Sequence, residues 1–221
     1  AVTGGPGVTN AVTGLANAFH GGVPLLVIGG RRPLSETGRG AFGEQDALAL
    51  VSSITKWAGA VCEVERLPEY VSSAFTQARS GRPGPVFLET PVDLLQMKVE
   101  ADGAVCPRPR SRPQGDPSLV EQAVGLMRQA RRPMALAGSG VWWAQASDEL
   151  RLFAEAAQMP VCGVRLGRGS LAEDHALSLG PFKGGLREAD LVLALGARLD
   201  WALDFGRLVN PGARVIQVDI E

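Results

Sequence analysis

Three glycine-containing stretches of this sequence carry residue types that suit ligand binding. They are residues 3–10, Gly138-Ser139-Gly140, and Gly196-Ala197-Arg198. The second follows an apolar run and precedes a helical pattern, so small residues there let a ligand approach backbone amides at a helix start that favours negative charge. The third ends a strongly apolar run on a guanidinium that can fork onto a phosphate or carboxylate. The sequence therefore predicts anion binding at the ends of strands.

Each of these predictions has an alternative. Gly138-Ser139-Gly140 lacks both the GxGxxG pattern and the Lys-Ser/Thr of a P-loop, so a plain tight turn also explains it. Arg198 can instead pair with Asp200 or Asp204. Asp219 ends the last apolar run, where a carboxylate can accept ribose hydroxyls, but it can equally cap a following helix.

The remaining reactive residues are few and scattered. His20 and His175, the only histidines, have no adjacent nucleophile or carboxylate cluster, so we predict neither acid-base catalysis by them nor a protein-built metal site. Cys62, Cys106 and Cys162 are far apart and lack ligand spacing, which favours a reducing, cytoplasmic compartment.

Composition narrows the classes of partner. The chain has 221 residues, 45% of them apolar, and a formal net charge of -1. We expect a folded globular protein that binds neither nucleic acid nor membrane, because there is no basic field and no apolar run of membrane-spanning length. The short basic cluster at residues 108–112 is interpreted as a solvated linker.

Apolar runs alternate with helical periodicity along the chain, which predicts an α/β fold with two open parallel-sheet, three-layer domains. Predicted strands lie at residues 24–30, 86–89, 134–138, 160–164, 191–196 and 215–218. Predicted helices lie at residues 67–78, 119–127 and 150–157. Such sheets bind ligands beyond the carboxyl ends of their strands, where the glycines lie.

A proline-rich, charged stretch separates the two halves. We predict a first domain at residues 1–98, a linker at 99–116 and a second domain at 117–221. The first turn has little strand before it, and residues 215–221 have the pattern of a core strand that stops where a loop should begin. We therefore expect the chain to be part of a longer protein.

Ordered motifs in both halves resemble those of thiamine-diphosphate-dependent enzymes such as acetolactate synthase. The first half resembles their pyrimidine-binding domain at residues 5–10, 24–30, 40–44, 53–56 and 81–86. The second half is similar to their central domain at residues 132–133, 138–140, 167–169, 175, 189–190 and 217–220. The resemblance covers nearly the whole chain and implies a partial pyrimidine-binding domain followed by a Rossmann-like central domain.

Within that superfamily, residues 196–206 look like the corresponding stretch of 2-hydroxyacyl-CoA lyases and oxalyl-CoA decarboxylases. Those enzymes usually carry Asn at the place of Asp200. Acetolactate synthases tend to carry Arg-Phe-Asp-Asp-Arg there, with the first arginine on bound FAD. Gly43 also replaces the Gln that commonly follows Phe42 in the family, so any substrate contact from that side chain is absent.

The resemblance implies cofactor chemistry for a small-molecule substrate, with thiamine diphosphate and Mg²⁺ bound in the full-length protein. The family's catalytic glutamate would lie upstream of Ala1, and a third domain would hold the diphosphate and Mg²⁺, so we predict no catalytic residue and no metal ligand in this chain and expect the isolated chain to be inactive. The resemblance implies contacts on the pyrimidine side of the cofactor from Gly5, Pro6, Gly7 and Asn10. It implies an ADP, CoA or FAD site at Gly138, Ser139, Gly140, Arg198 and Asp219.

Phe42 is a candidate for the substrate pocket, although a lone phenylalanine is more often part of a core. Relatives assemble as homodimers or homotetramers. The leading prediction is thus a thiamine-diphosphate-dependent carbon-carbon lyase or carboligase, closest in motif to 2-hydroxyacyl-CoA lyase. The alternatives are acetolactate synthase, with FAD in its central domain, and a non-catalytic nucleotide-binding or regulatory module.

Overall fold

The computed structural model describes residues 1–100 and 113–221. The chain divides into two compact units, Ala1–Ser111 and Arg112–Glu221. The basic cluster at residues 108–112, Cys106 and most of the predicted linker lie outside the described residues. The domain limits at residues 98 and 117 thus stay predictions.

The first unit is built on a parallel sheet with the strand order β1-β3-β2. Its strands are β1 (Leu26–Arg31), β2 (Trp57–Ala60) and β3 (Val86–Pro91). Its helices are α1 (Pro6–Gly21), α2 (Ala47–Val51), α3 (Leu67–Arg79) and α4 (Val92–Gln96). All six residues of β3 are buried, as expected for the central strand of a parallel sheet.

Basic side chains stabilise the carboxyl ends of two helices in this unit. Lys56 Nζ donates hydrogen bonds to Gln77 O at 2.7 Å and to Ser80 O at 2.6 Å, at the end of α3. Arg82 Nη2 donates to Phe19 O at 2.8 Å, near the end of α1. Cations at these positions interact favourably with the last carbonyls and with the negative end of the helix dipole.

The second unit is built on a parallel sheet with the order β5-β4-β6-β7. Its strands are β4 (Pro133–Ala137), β5 (Val161–Gly163), β6 (Leu191–Leu195) and β7 (Arg214–Val218). Its helices are α5 (Pro117–Gln129), α6 (Ser139–Ala144) and α7 (Ser147–Ala157). Alternate residues of β4 and β6 enter two apolar clusters, one on each face of the sheet. The predicted α/β fold class with parallel sheets in both halves is confirmed.

Three details differ from the sequence prediction. β2 was missed because its residues, Trp-Ala-Gly-Ala, do not form an apolar run. β7 is not a core strand: Val215 is 45% and Val218 54% exposed, since its pairing in the described sheet is with β6 at one edge. The amino-terminal half of α5 is exposed, with Leu119 at 60%, because the helix packs through Leu126 and Met127 in its other half.

Among the described residues, no helix is long and apolar enough to cross a membrane. The same residues contain no group of three or more His, Cys, Asp or Glu side chains placed to hold a metal ion.

Asp190 ties the start of β4 to the start of β6. Its carboxylate accepts hydrogen bonds from the backbone amides of Arg131 and Arg132 at 2.7 and 2.9 Å. These bonds hold the pKa of Asp190 below its usual range, because they favour the charged form. The ionised carboxylate therefore stabilises the fold at neutral pH, and this contribution is lost as the pH falls through the lowered pKa.

We predict that Asp190→Asn lowers the melting temperature at about pH 7 and that its difference from wild type shrinks as the pH approaches about 3. Thermal unfolding at a series of pH values measures both effects. Asp174→Asn, at an exposed position of the same unit, is the matched control and should stay close to wild type throughout. If the difference in melting temperature between Asp190→Asn and wild type does not change with pH, the ionised Asp190 carboxylate does not have this stabilising role.

Candidate functional site

The first unit has a cleft beyond the carboxyl ends of β1 and β3. Gly5, Arg31, Glu44, Gln45 and Glu89 are among the residues that line it. The cleft thus combines a backbone turn, a carboxamide and charges of both signs. It lies where ligands bind in parallel α/β sheets.

The turn at Gly5 is shaped by close contact with Gly43. Gly5 has φ of 60°, in the left-handed region that favours glycine. A Cβ on Gly5 would lie 2.9 Å from Gly43 Cα. Gln45 Nε2 donates to Gly5 O at 3.1 Å, and this oxygen also accepts from Val8 N at 3.0 Å in the first turn of α1. The shape of the turn therefore depends on the segment between β1 and α2.

A partly buried ion pair lines the cleft. Arg31 Nη1 lies 3.1 Å from Glu89 Oε2, and the side chain of Glu89 is 5% exposed. Burial raises the pKa of Glu89, and the neighbouring Arg31 opposes that rise. Arg31 Nη2 also donates to Thr37 Oγ1 at 3.0 Å. The sequence analysis missed this pair, although each member lies near the carboxyl end of an apolar strand.

The predicted residues of the first unit are brought together only in part. Gly5 lines the cleft, whereas Pro6, Gly7 and Asn10 belong to the first two turns of α1, where Pro6 and Asn10 are exposed. Phe42 is 88% exposed. The alternative that Phe42 is a core residue is therefore wrong, and its role in a substrate pocket stays a prediction.

The second unit has a cleft beyond the carboxyl ends of β4 and β6. It brings together three of the predicted residues, Gly138, Ser139 and Arg198, with Arg165 and Asp200. Asp219 follows β7 and is exposed, and it is not among the residues that line this cleft. Its carboxylate accepts a hydrogen bond from Ile220 N at 2.7 Å.

Gly138 and Gly196, which line this cleft, pack together with Gly140, which is not among its lining residues. A Cβ on Gly138 would overlap Gly196 O and lie 2.5 Å from Ala197 Cα, and a Cβ on Gly140 would lie 2.5 Å from Gly196 Cα. Gly196 itself has φ of 53°. The close approach of two strand-end loops is a sufficient reason for all three glycines, so their contact with a ligand stays a prediction.

Arg165 is the residue of this cleft that the sequence analysis missed. Its Nη2 lies 2.6 Å from Asp200 Oδ2, and its guanidinium carbon lies 5.3 Å from the centre of the Trp201 ring. Asp200 Oδ1 also accepts from Ala202 N at 3.0 Å. Asp200 thus pairs with Arg165, and Arg165 and Arg198 line the same cleft.

Parallel α/β units with clefts beyond their strand ends are an architecture in which nucleotides and cofactors commonly bind. Comparison with protein families identifies both units. Residues 1–50 match the model described as "Thiamine pyrophosphate enzyme, N-terminal TPP binding domain", and residues 120–221 match "Thiamine pyrophosphate enzyme, central domain". The chain belongs to the thiamine pyrophosphate (thiamine diphosphate) enzymes and carries these two domains.

The curated relatives carry the names of two enzymes, acetolactate synthase and 2-hydroxyacyl-CoA lyase. A probable acetolactate synthase large subunit of Methanocaldococcus jannaschii is 35% identical over 99% of this chain. A 2-hydroxyacyl-CoA lyase of Arabidopsis thaliana is 34% identical over 91% of it. The acetolactate synthase isozyme 1 large subunit of Escherichia coli is 36% identical over 98% of it. The chain spans 37 to 40% of the length of these relatives.

The glycine packing makes a prediction with an internal control. Gly138→Ala should destabilise the second unit by about 1–3 kcal/mol, because the added methyl group must push two loops apart. Gly125→Ala adds the same methyl group within α5, where nothing lies within 4 Å of it, and should stabilise by about 0.5–1 kcal/mol. Urea denaturation of the two variants measures both effects. Equal effects of the two substitutions would contradict the packing argument.

Proposed function

We propose that this chain forms the pyrimidine-side and central domains of a thiamine-diphosphate-dependent carbon-carbon lyase or carboligase. Its substrates are 2-hydroxyacyl-CoA or 2-oxo acids. The observation that carries this proposal is the match of the two halves, in order, to two domains of one enzyme family. The name of one relative, 2-hydroxyacyl-CoA lyase, supplies the first substrate class, and the resemblance to acetolactate synthases suggests the second.

The cleft of the first unit suits the neutral end of the cofactor better than its diphosphate end. The turn places the carboxamide of Gln45 in the cleft beside Gly5, and a carboxamide suits a planar ring with hydrogen-bonding edges. The acidic side chains of Glu36, Glu44 and Glu89 line the cleft beside the arginines and disfavour a diphosphate there. We propose that the diphosphate and Mg²⁺ bind outside this chain.

When bound, thiamine diphosphate supplies the nucleophile for a carbonyl carbon and stores the electrons after carbon-carbon cleavage. The role of this chain is to bind and orient. The Gly5 turn positions the pyrimidine ring, and exposed Phe42 gives an apolar wall to the substrate. We propose that another domain or subunit completes this pocket in a cytoplasmic homodimer or homotetramer.

The cleft of the second unit suits the phosphates of ADP or CoA. Arg198 and the Ser139 hydroxyl line it, and a guanidinium with a neighbouring hydroxyl is a good donor set for phosphate. Trp201, 72% exposed beside Arg165, presents a ring face on which an adenine can stack. The stretch at residues 196–206 resembles CoA-dependent members of the family and favours CoA over FAD.

Acetolactate synthase with FAD in the central domain is the second candidate, favoured by the relatives that carry that name. The two candidates differ in their acyl donor and in their nucleotide. A yellow protein that forms acetolactate from pyruvate would identify the synthase, whereas a colourless protein that binds CoA would identify the lyase.

The activity prediction concerns the full-length protein encoded by the gene that contains this sequence. With thiamine diphosphate and Mg²⁺ added, we expect it to release an aldehyde from a 2-hydroxyacyl-CoA, measured by coupled reduction of the aldehyde. Acetolactate formation from pyruvate would support the second candidate. If the protein forms neither product but still binds a nucleotide, both enzyme candidates are wrong and the protein is a non-catalytic nucleotide-binding module.

The nucleotide prediction can be tested on this chain. CoA and ADP should raise its melting temperature, because a ligand that binds only the folded state stabilises it. Arg198→Ala should abolish the rise without loss of the fold. Arg207→Ala, whose side chain is 76% exposed, is the matched control and should keep the rise. If CoA and ADP change the melting temperatures of both variants equally, the proposed nucleotide site at Arg198 is wrong.

A further inference from the structure

The turn that carries Phe42 is folded around one carboxylate. Glu44 accepts hydrogen bonds from the backbone amides of Gly38, Gly40 and Ala41, and the last two are 2.9 and 3.1 Å long. These bonds join residues three to six positions apart, so the chain between them must curl around the carboxylate. Amide bonds to the charged form lower the pKa of Glu44, which keeps it anionic at neutral pH.

The backbone of this turn is suited to that arrangement. Gly38, Gly40 and Gly43 have φ of 75°, 73° and 74°, in the left-handed region that other residues rarely adopt. Glu44 N donates to Ala41 O at 2.9 Å. Gly43 therefore occupies the third position of a β-turn, and its φ of 74° matches a type II turn, which requires a positive φ at that position. This requirement gives a local reason for glycine at the position where the family commonly has Gln.

Phe42 occupies the second position of the same β-turn. Its side chain is 88% exposed, so packing against the first unit does little to fix its direction. The direction in which Phe42 projects is set mainly by the backbone of the turn. That backbone is in turn held by the Glu44 carboxylate.

Both ends of the segment are anchored to the cleft. Thr37 Oγ1 accepts a hydrogen bond from Arg31 at one end, and Gln45 donates to Gly5 O at the other, at 3.0 and 3.1 Å. The middle of the segment has no strand or helix, because turns and loops connect Thr37 to Asp46. Together with the backbone bond from Glu44 N to Ala41 O, the bonds of the Glu44 carboxylate restrain the part that carries Phe42.

We infer that Glu44 is a positioning residue, whose carboxylate holds the turn at residues 38–44 in the shape that presents Phe42 to the acyl substrate. This inference rests on the proposed substrate-side role of Phe42. Glu44 does not itself touch the reacting atoms. Its effect on turnover is transmitted through the position of Phe42.

The first test measures the shape of the turn in this chain by limited proteolysis. Arg39 is exposed in the turn, and trypsin cleaves the Arg39–Gly40 bond only when that backbone opens. Glu44→Gln should raise the rate of this cleavage roughly tenfold, because the neutral amide is a weaker acceptor for the three amides. Fragments are quantified by mass spectrometry well below the melting temperature of each variant.

Glu36→Gln is the matched control for proteolysis. It removes an equal charge from the same segment, but Glu36 pairs with Arg32 at 3.1 Å rather than with the amides of the turn. Its cleavage rate should equal that of wild type. Equal rates for wild type, Glu36→Gln and Glu44→Gln would overturn the positioning role, as would a general rise in cleavage at all sites in Glu44→Gln.

The second test uses the full-length enzyme and a double-mutant cycle. Phe42→Ala and Glu44→Gln should each raise KM for the acyl donor several-fold, and the double variant should match Phe42→Ala alone, because both act through one contact. Additive effects would overturn the inference. If the full-length protein has neither lyase nor synthase activity, the proposed function fails, and the cleavage rate at Arg39 still decides whether Glu44 holds the turn.

Discussion

The close approach of strand-end loops to one another is the constraint on which both units depend. Parallel strands bring all their carboxyl ends to one edge of the sheet, so the loops that follow them compete for the same space. In the second unit Gly138 and Gly140 meet Gly196 backbone to backbone, and in the first unit Gly5 meets Gly43 in the same way. A side chain on any of the first three would separate the loops and change the cleft that they border.

Charged side chains stabilise the Glu44 turn and other ends of strands and helices by satisfying backbone groups. The carboxylates of Asp190 and Glu44 accept from amides, and Lys56 donates to the last carbonyls of a helix. All three lie in or beside motifs on which the family resemblance rests. Much of that resemblance thus reflects the requirements of the fold, because a misplaced loop leaves buried or half-buried polar groups without partners. Only some of the residues in these motifs are therefore available to contact a ligand.

The fold was largely predictable because its signals are local. Strands buried on both faces leave continuous apolar runs, and β1, β3, β4 and β6 follow them closely. The clefts were predictable only in part. Arg31 and Glu89, or Arg165 and Asp200, meet across 58 and 35 residues of sequence, and no periodic pattern records such pairs. The exposure of Phe42 was equally unpredictable from the sequence, since it follows from a turn that is folded around the side chain of Glu44, two residues later.

Glycines form the contacts between the loops, and side chains beside those glycines line the cleft. This arrangement has a consequence for how proteins with this fold diverge. Loops that meet through bare backbone can accept almost no substitution, so new specificity must arise in neighbouring side chains. Arg165, Asp200 and Trp201 lie at such neighbouring positions beside the packed glycines. Substitution of a few of them can change the ligand specificity while the turns keep their shape. Relatives at 34 to 36% identity that carry two different enzyme names are the outcome expected of such an architecture.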